Sequence, residues 1–442
     1  MKFPVIKGFD PEAFNKYLKN TGWLFIARVG SLAIKILVGF AVANYLGSTQ
    51  NGLLNYPLAF VAFFFAASAL GLDGFLTREL INYPTKKNEL LGSAIALRLF
   101  AGLLIIPLII STFLFINRNN PSETPFLFIL IVSFIGIIQP FNIIDSYFQS
   151  ISKTKYVMYV QISANLLSAL IKLILIYIKA PLLFFVFALS VDSLFLAIGY
   201  LYSYKNQGNS FSNWKFDFTL SKYLLKNSWP LAFSVVLVTL YMKIDQVMVS
   251  NFLGAKQLGI YSTVVGLSES WYFIPVAIVS AIFPALMNAK RDDAERYAKR
   301  IENLYDLMVV ISLCIAITIS FTSDFIYQLF YNKEFAAGAD VLSVHIWAGV
   351  FVFLGTASSQ FLIAEGYTKI AMFRTGVGAI VNIVLNLIWI PKYGIIGAAY
   401  ATLIAYAVAT FFIIFIPKTQ KQGILMIKSL FLISISKKIF KS

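Results

Sequence analysis

The chain has 442 residues, of which 59% are hydrophobic and 13% charged, and its formal net charge at pH 7 is +16. So large an apolar fraction excludes a single soluble globular domain, because such a domain could not keep its apolar surface out of water. The positive charge does not indicate a nucleic-acid partner, since lysine and arginine cluster between apolar segments in the pattern of multi-pass membrane proteins.

Twelve apolar segments are long enough to cross a bilayer, which takes about 20 helical residues. They predict an all-α integral membrane protein with two six-helix lobes, at residues 1–215 and 216–417, followed by a basic cytoplasmic tail at 418–442. The apolar run of the tail is too short to span the membrane and favours an interfacial helix. The predicted spans are 22–46, 54–72, 90–115, 125–150, 156–178 and 182–204, then 228–252, 259–286, 303–321, 336–364, 370–390 and 394–416.

The loops predict the orientation of these spans. Those after even-numbered spans, together with both termini, carry most of the lysine and arginine, so both termini are predicted to lie in the cytoplasm. The opposite loops are short and leave no room for an external catalytic domain, so an enzyme is not expected. The single cysteine, Cys314, excludes a disulfide framework.

The two halves of the sequence repeat. A shift of 207 positions places Gly47 on Gly254 and Gly52 on Gly259, within an ungapped match that begins about thirty residues earlier. Parallel internal repeats are a common way of building transporters.

The first span carries a polar stripe on one helical face, formed by Arg28, Ser31, Lys35 and Gly39. A charge at mid-membrane costs roughly 2.5–3.5 kcal/mol on insertion scales, so this face is predicted to point at protein or at a water-filled cavity.

Span 5 carries a second stripe, and span 3 contributes a further cation, Arg98. The second stripe comprises Gln161, Asn165, Ser168 and Lys172. Fixed cations in a low-dielectric cavity attract anions, so Arg28, Lys35, Arg98 and Lys172 are candidate ligands of a phosphate group. The alternative interpretation is ion pairing, in which Asp192 of span 6 neutralises Lys172 or Lys35 and Lys172 extends outward.

The second half places oxygen-bearing side chains at one depth, about 10 Å below the outer surface. They are Asp245 on span 7, Asn382 and Asn386 on span 11, and Thr402 on span 12. One carboxylate with neutral oxygens suits a hard monovalent cation such as Na⁺, whereas the alternative is an interhelical hydrogen-bond cluster.

Other ionisable groups lie within the predicted spans of the second half. Glu269 joins Asp192 as a candidate member of an intramembrane charge network. His345 is predicted to be a packing residue, and Arg374 is predicted to extend to the cytoplasmic surface.

The segment from Met242 to Leu286, MKIDQVMVSNFLGAKQLGIYSTVVGLSESWYFIPVAIVSAIFPAL, resembles bacterial flippases of the Wzx type. These polysaccharide-biosynthesis proteins belong to the multidrug/oligosaccharidyl-lipid/polysaccharide exporter superfamily. The resemblance covers nearly the whole chain and implies a V-shaped, MATE-like fold with alternating access. It implies a location in the bacterial cytoplasmic (inner) membrane. It also implies a polyprenyl-diphosphate-linked oligosaccharide as substrate, moved from the cytoplasmic to the outer leaflet for assembly of O-antigen or capsule-type polysaccharide.

The same resemblance implies a sodium site like that of the lipid II flippases. Asp245, Asn382, Asn386, Thr402 and the carbonyl of Ala398 occupy the matching places. Asn386 stands where the relatives have a second carboxylate, which lowers the expected cation affinity and leaves proton coupling through Asp245 open. Apart from this Na⁺ or H⁺ no cofactor is expected.

The predicted partners are the lipid-linked oligosaccharide, the bilayer and a membrane glycan polymerase or ligase, with the chain itself a monomer. The alternative function is a cation-coupled multidrug exporter of the same superfamily. Such an exporter prefers an acidic cavity for cationic drugs, and the cationic first lobe argues against it.

Overall fold

In the computed structural model, the part of the chain that can be described is almost entirely helical. The structure describes residues 11–118 and 122–433, and the side chains of residues 29–118, 122–283 and 285–433. The α-helices are α1 (Pro11–Ser68), α2 (Leu72–Asn82), α3 (Lys87–Ile116), α4 (Phe126–Ser133), α5 (Ile135–Ile138), α6 (Ile143–Ser150), α7 (Thr154–Tyr177), α8 (Leu182–Asn206), α9 (Phe218–Glu269), α10 (Phe273–Asp292), α11 (Ala294–Phe330), α12 (Gly338–His345), α13 (Ala348–Ala364), α14 (Thr368–Tyr393), α15 (Ile395–Phe411) and α16 (Gln420–Leu430).

Ten helical segments of the described chain are long and apolar enough to cross a membrane. Two of them, Val29–Asn82 with 54 residues and Phe218–Phe283 with 66, are each long enough for two crossings. The predicted all-α membrane fold is therefore confirmed, and the predicted count of twelve spans is consistent with the structure.

Each of the two longest helices bends at a glycine of the sequence repeat. Gly47 within α1 has φ 74° and ψ 168°, and Gly254 within α9 has φ 84° and ψ 174°. A residue with a side chain is strained at such φ values, so glycine allows the chain to turn between one span and the next.

Predicted spans 4 and 8 are interrupted close to prolines. In span 4, a 3₁₀ turn at Gln139–Asn142 contains Pro140 and separates α5 from α6. In span 8, α9 ends at Glu269 and α10 begins at Phe273, two residues before Pro275. Proline lacks the N–H group that a continuous helix uses, so it favours a bend or an interruption of the helix.

The described chain forms two compact units. The first comprises the described parts of Met1–Tyr45, Ala67–Arg118 and Phe126–Ala232. The second comprises those of Leu46–Ala66, Asn119–Pro125 and Phe233–Ser442. Two short segments from the first half of the sequence thus belong to the second unit.

Within the second unit, the tail helix α16 packs against α11. The side chain of Met426 is buried in the core of this unit. Gln422 donates from Nε2 to the hydroxyl of Tyr305 at 2.6 Å, and Ser429 donates from Oγ to Oδ1 of Asp306 at 2.7 Å. The helix predicted in the tail is therefore fixed to the protein by buried polar contacts, while residues 434–442 lie outside the described chain.

Candidate functional site

In the first unit, the two predicted polar stripes meet. Asn165 of α7 donates from Nδ2 to Oγ of Ser31 of α1 at 2.6 Å. On the same face of α7, Gln161 donates to the hydroxyl of Tyr200 at 3.2 Å. The spacing of these side chains along each helix predicted one polar face per helix, and the hydrogen bond joins the two faces.

Lys172, at the far end of the α7 stripe, forms an ion pair. Its Nζ lies 2.6 Å from Oδ2 of Asp192 and donates to Oγ of Ser168 at 2.8 Å. Oδ1 of Asp192 is buried and has no hydrogen-bond partner in the described chain. For Lys172, the structure therefore shows the ion pair with Asp192 that was the alternative to a phosphate ligand.

Lys35 is the second described cation of this stripe. Both Lys172 and Asp192 lie within electrostatic reach of it. Its side chain is exposed, and none of the side chains that the structure describes forms a salt bridge with it. Among the described side chains, two ammonium groups therefore share one carboxylate, which gives this part of the stripe an excess positive charge. Arg28 lies on the same helix, but its side chain is outside the described residues.

Arg98 occupies different surroundings from Lys35 and Lys172. Its side chain is 4% exposed, and its Nη2 lies 2.7 Å from Oδ1 of Asp73. Its Nε donates to the carbonyl oxygen of Ala69 at 3.1 Å. The guanidinium lines a cavity to which neither Lys35 nor Lys172 contributes.

The second unit brings the predicted cation ligands together. Asp245 on α9, Asn382 and Asn386 on α14, and Thr402 on α15 are all at most 2% exposed. Thr402 donates from Oγ1 to Oδ2 of Asp245 at 3.4 Å. Nδ2 of Asn382 lies 3.4 Å from Oγ1 of Thr402, and Asn386 donates to Oδ1 of Asn382 at 3.0 Å. Ala398 is fully buried one helical turn before Thr402.

Tyr261 is a member of this cluster that the sequence analysis missed. Its hydroxyl donates to Oδ2 of Asp245 at 2.6 Å. Both residues belong to α9 but lie on opposite sides of the bend at Gly254, so helical periodicity could not relate them. The tyrosine in the YS pair of the quoted segment was the available signal.

The oxygen atoms of this cluster fit a small hard cation. The donor set is one carboxylate with hydroxyl and amide oxygens, which are the ligands that such ions prefer. Oδ1 of Asn386 is buried and has no hydrogen-bond partner in the described chain. A buried amide oxygen without a partner costs free energy unless an ion or water satisfies it.

Three further ionisable groups of this unit have neutral or compensating partners. Lys243 and Glu269 form an ion pair, with Nζ 2.8 Å from Oε2, so Glu269 neutralises a lysine on the same long helix. His345 is 2% exposed and its Nδ1 lies 2.9 Å from Oγ of Ser268, as a packing residue would be arranged.

The prediction that Arg374 extends to the cytoplasmic surface is wrong. The residue is 5% exposed. Its Nη1 donates to Oγ of Ser358 at 3.1 Å, and its Nη2 donates to Oγ of Ser359 at 2.7 Å and to the carbonyl oxygen of Gly355 at 2.8 Å. These acceptors on α13 satisfy the guanidinium inside the protein, so it gains nothing by reaching water.

Sequence comparison relates the chain to proteins of surface-glycan synthesis. Residues 17–290 match the family described as Polysaccharide biosynthesis protein, and residues 230–388 match the MatE family. The chain is 23% identical over 402 residues to Capsular polysaccharide biosynthesis protein CapF of Staphylococcus aureus, a match that covers 89% of this chain and 97% of the relative.

Solved structures show the same fold. A MATE-family multidrug resistance transporter of the MOP superfamily, in an inward-facing conformation, has a TM-score of 0.75 at 13% identity and covers 91% of this chain and 99% of its own. The lipid II flippase MurJ, in an inward closed conformation, has a TM-score of 0.69 at 18% identity and covers 93% of this chain and 90% of its own.

Proposed function

The chain belongs to the polysaccharide biosynthesis protein family, and from this we propose that it is a flippase for polyprenyl-diphosphate-linked oligosaccharides. It carries repeat units of a cell-surface polysaccharide across the membrane and is a transporter rather than an enzyme. The observation that carries this proposal is the polar stripe of the first unit, in which Lys35 and Lys172 share the carboxylate of Asp192.

The positive charge of the stripe complements the diphosphate, which is the part of the substrate least soluble in hydrocarbon. A diphosphate is a polyanion, and moving it through apolar lipid without compensating charge is prohibitive. Lys35 supplies positive charge, the Ser31–Asn165 pair supplies polar groups that replace hydration, and the prenyl chain stays in lipid. We assign Lys35, Lys172 and Arg28 to the diphosphate.

The direction of transport follows from charge and potential. An inside-negative membrane potential favours outward movement of an anion by roughly 2.3 kcal/mol per charge per 100 mV. We place the protein in the cytoplasmic membrane of a bacterium. In the proposed orientation both termini are cytoplasmic, because lysine-rich loops favour the cytoplasmic side. The protein acts as a monomer and delivers its substrate to a membrane polymerase or ligase.

The cluster around Asp245 is the proposed site of the coupling ion. Asp245, Thr402 and the two asparagines of α14 would hold Na⁺, with Tyr261 and the Ala398 carbonyl beside them; protonation of Asp245 is the alternative. The bound ion would supply a positive charge that neutralises the buried carboxylate. Inward movement of the cation adds driving force or resets the carrier.

Multidrug export is the second candidate, because a multidrug resistance transporter has the same fold. Deleting the gene in the producing cell tests both functions. We expect loss of surface glycan and accumulation of the diphosphate-linked precursor in the inner leaflet, with unchanged drug sensitivity. Normal surface glycan with increased drug sensitivity would instead support the exporter.

A further inference from the structure

The interrupted span of the first unit lines a polar cavity. The cavity has a volume of about 80 Å³ and is partly open to its surroundings, and Ser68, Asp73, Arg98, Gln139 and Asn142 are among its lining residues. This is below the roughly 300–1,000 Å³ of a pocket that encloses a whole ligand, so the cavity can take up only part of one sugar ring. Irregular backbone within a membrane protein is tolerated where it is buried or lines a cavity, and in transporters interrupted helices commonly form binding sites.

The polar groups of this cavity are incompletely satisfied. Oε1 of Gln139 is buried and has no hydrogen-bond partner in the described chain. The Arg98 guanidinium donates to Asp73 and to the Ala69 carbonyl, which leaves further N–H groups able to donate. The side chain of Asp73 is 67% exposed, and its carboxylate can accept further hydrogen bonds. Donors and acceptors therefore stand side by side around one small space.

This chemistry suits hydroxyl groups better than a phosphate. The Asp73 carboxylate already compensates the charge of Arg98 and would repel an anion. A sugar hydroxyl both donates and accepts, so it can bond to a carboxylate or amide oxygen and to a guanidinium at once. We propose that this cavity binds the hydroxyl groups of one sugar ring of the transported glycan, and that Arg98, Asp73 and Gln139 recognise the sugar rather than the diphosphate. The assignment rests on the proposed flippase function.

Binding of two lipids to the purified full-length protein tests the assignment. The probes are undecaprenyl diphosphate and the lipid-linked glycan extracted from cells that lack the gene. Gln139→Leu is expected to weaken binding of the glycan lipid at least fivefold and to leave undecaprenyl diphosphate binding unchanged. Because it removes an unpaired buried oxygen, it should not lower the melting temperature, whereas loss of a structural contact would.

Asp73→Asn separates a sugar site from a phosphate site, with Asp324→Asn as the control at an exposed carboxylate of the second unit. A sugar site predicts weaker binding of the glycan lipid alone. Tighter binding of both lipids would overturn the proposal, because it would mean that Asp73 repels a phosphate there. Equal affinity of the unmodified protein for both lipids overturns only the sugar site; binding of neither lipid overturns the flippase function itself.

The bends of the two longest helices carry an independent feature within the second unit. Glu334 accepts hydrogen bonds at Oε2 from the backbone N–H of Ser48 at 3.0 Å and from its hydroxyl at 2.8 Å. Glu123 accepts at Oε2 from the backbone N–H of Ala255 at 2.9 Å. Each glutamate therefore binds the first N–H after the bend at Gly47 or Gly254, where a helical segment begins with unpaired N–H groups.

The arrangement is reciprocal between the halves of the sequence. Glu123, from the first half of the sequence, binds the N–H group of Ala255 in the second half. Glu334, from the second half, binds the N–H group of Ser48 in the first half. Beside these contacts the two helical segments touch backbone to backbone: a Cβ at Gly52 would lie 1.8 Å from the Ala255 carbonyl oxygen, and one at Gly259 would lie 1.7 Å from that of Ser48. Such close approach requires glycine.

We propose that Glu123 and Glu334 form a paired latch that keeps the outer end of the transport path closed and opens when substrate is released outward. In the proposed orientation, both glutamates and the bends at Gly47 and Gly254 lie at the outer side of the membrane. A carboxylate at a helix start is a reversible contact, because water can replace it at modest cost. A neutral glutamine amide lacks the negative charge that the helix start favours, so it should hold the N–H groups less tightly.

Thiol labelling tests the latch in cells. In a Cys314→Ser background, Asn55→Cys introduces a half-buried thiol on the helical segment that begins at Ser48. Adding Glu123→Gln and Glu334→Gln together is expected to speed its reaction with an external, membrane-impermeant maleimide at least fivefold. Glu295→Gln, at an exposed position on α11, is the control. An unchanged rate in the double variant, at normal protein level in the membrane, would overturn the latch.

Discussion

Replacing Lys35 with methionine is expected to reduce glycan export at least tenfold while the protein still inserts into the membrane. A tenfold loss corresponds to about 1.4 kcal/mol. Two unit charges about 4 Å apart attract by about 4 kcal/mol at an effective dielectric constant of about 20, which leaves room for solvent screening of the exposed Lys35. Methionine keeps the length of the side chain and removes only the charge, so insertion becomes easier rather than harder. The measurement is surface glycan in a deletion strain that carries the variant.

Two controls isolate the charge of Lys35. The double variant Lys172→Met/Asp192→Asn removes an ion pair without changing net charge, so its effect should be smaller than that of Lys35→Met. Lys205→Ala removes an exposed positive charge at the end of α8 and should leave export unchanged. Export of Lys35→Met at the unmodified level would show that the stripe does not hold the diphosphate.

Replacing Asp245 with asparagine is expected to abolish the dependence of transport on a cation gradient. The carboxylate is 2% exposed and provides the only full negative charge among the proposed ligands, so a neutral amide leaves no charge to attract Na⁺ or to take up H⁺. The direct measurement is the melting temperature in detergent. A ligand at a hundred times its dissociation constant stabilises the folded state by about 2.7 kcal/mol. We therefore expect the melting temperature of the unmodified protein to rise when Na⁺ replaces choline, and this rise should disappear in the variant.

Asp306→Asn is the matched control, because it removes another buried carboxylate of the second unit outside the cluster and should keep the response to Na⁺. Asn386→Asp places a second carboxylate where the unpaired amide oxygen now lies. It should lower the Na⁺ concentration at which half of the stabilisation is reached. If stabilisation depends on pH and not on Na⁺, the ion is a proton. A full Na⁺ response in Asp245→Asn would exclude the cluster as the site.

The sequence predicted elements and faces well because both follow from local spacing. Apolar length predicted a helical membrane protein, and the spacing of Asn165 and Lys172 predicted the polar face that meets Ser31. The cluster around Asp245 followed from equal depth, since helix rise converts sequence position into height within the membrane.

The sequence could not predict contacts that depend on how helices pack. Tyr261 reaches Asp245 only because α9 bends back at Gly254, and no spacing rule spans that bend. Arg374 was predicted at the surface from its distance to a helix end, but Ser358 and Ser359 of another helix satisfy it inside. The Asp73 partner of Arg98 was missed for the same reason.

The central claim is tested most directly by transport in liposomes that contain only this protein and the extracted lipid-linked glycan. Membrane-impermeant periodate oxidises the sugars exposed in the outer leaflet. We predict that vesicles with the protein expose their entire glycan over time, and that Lys35→Met vesicles do so at least tenfold more slowly. If vesicles with the protein expose only the glycan already in their outer leaflet, as protein-free vesicles do, the chain is not a flippase for this substrate.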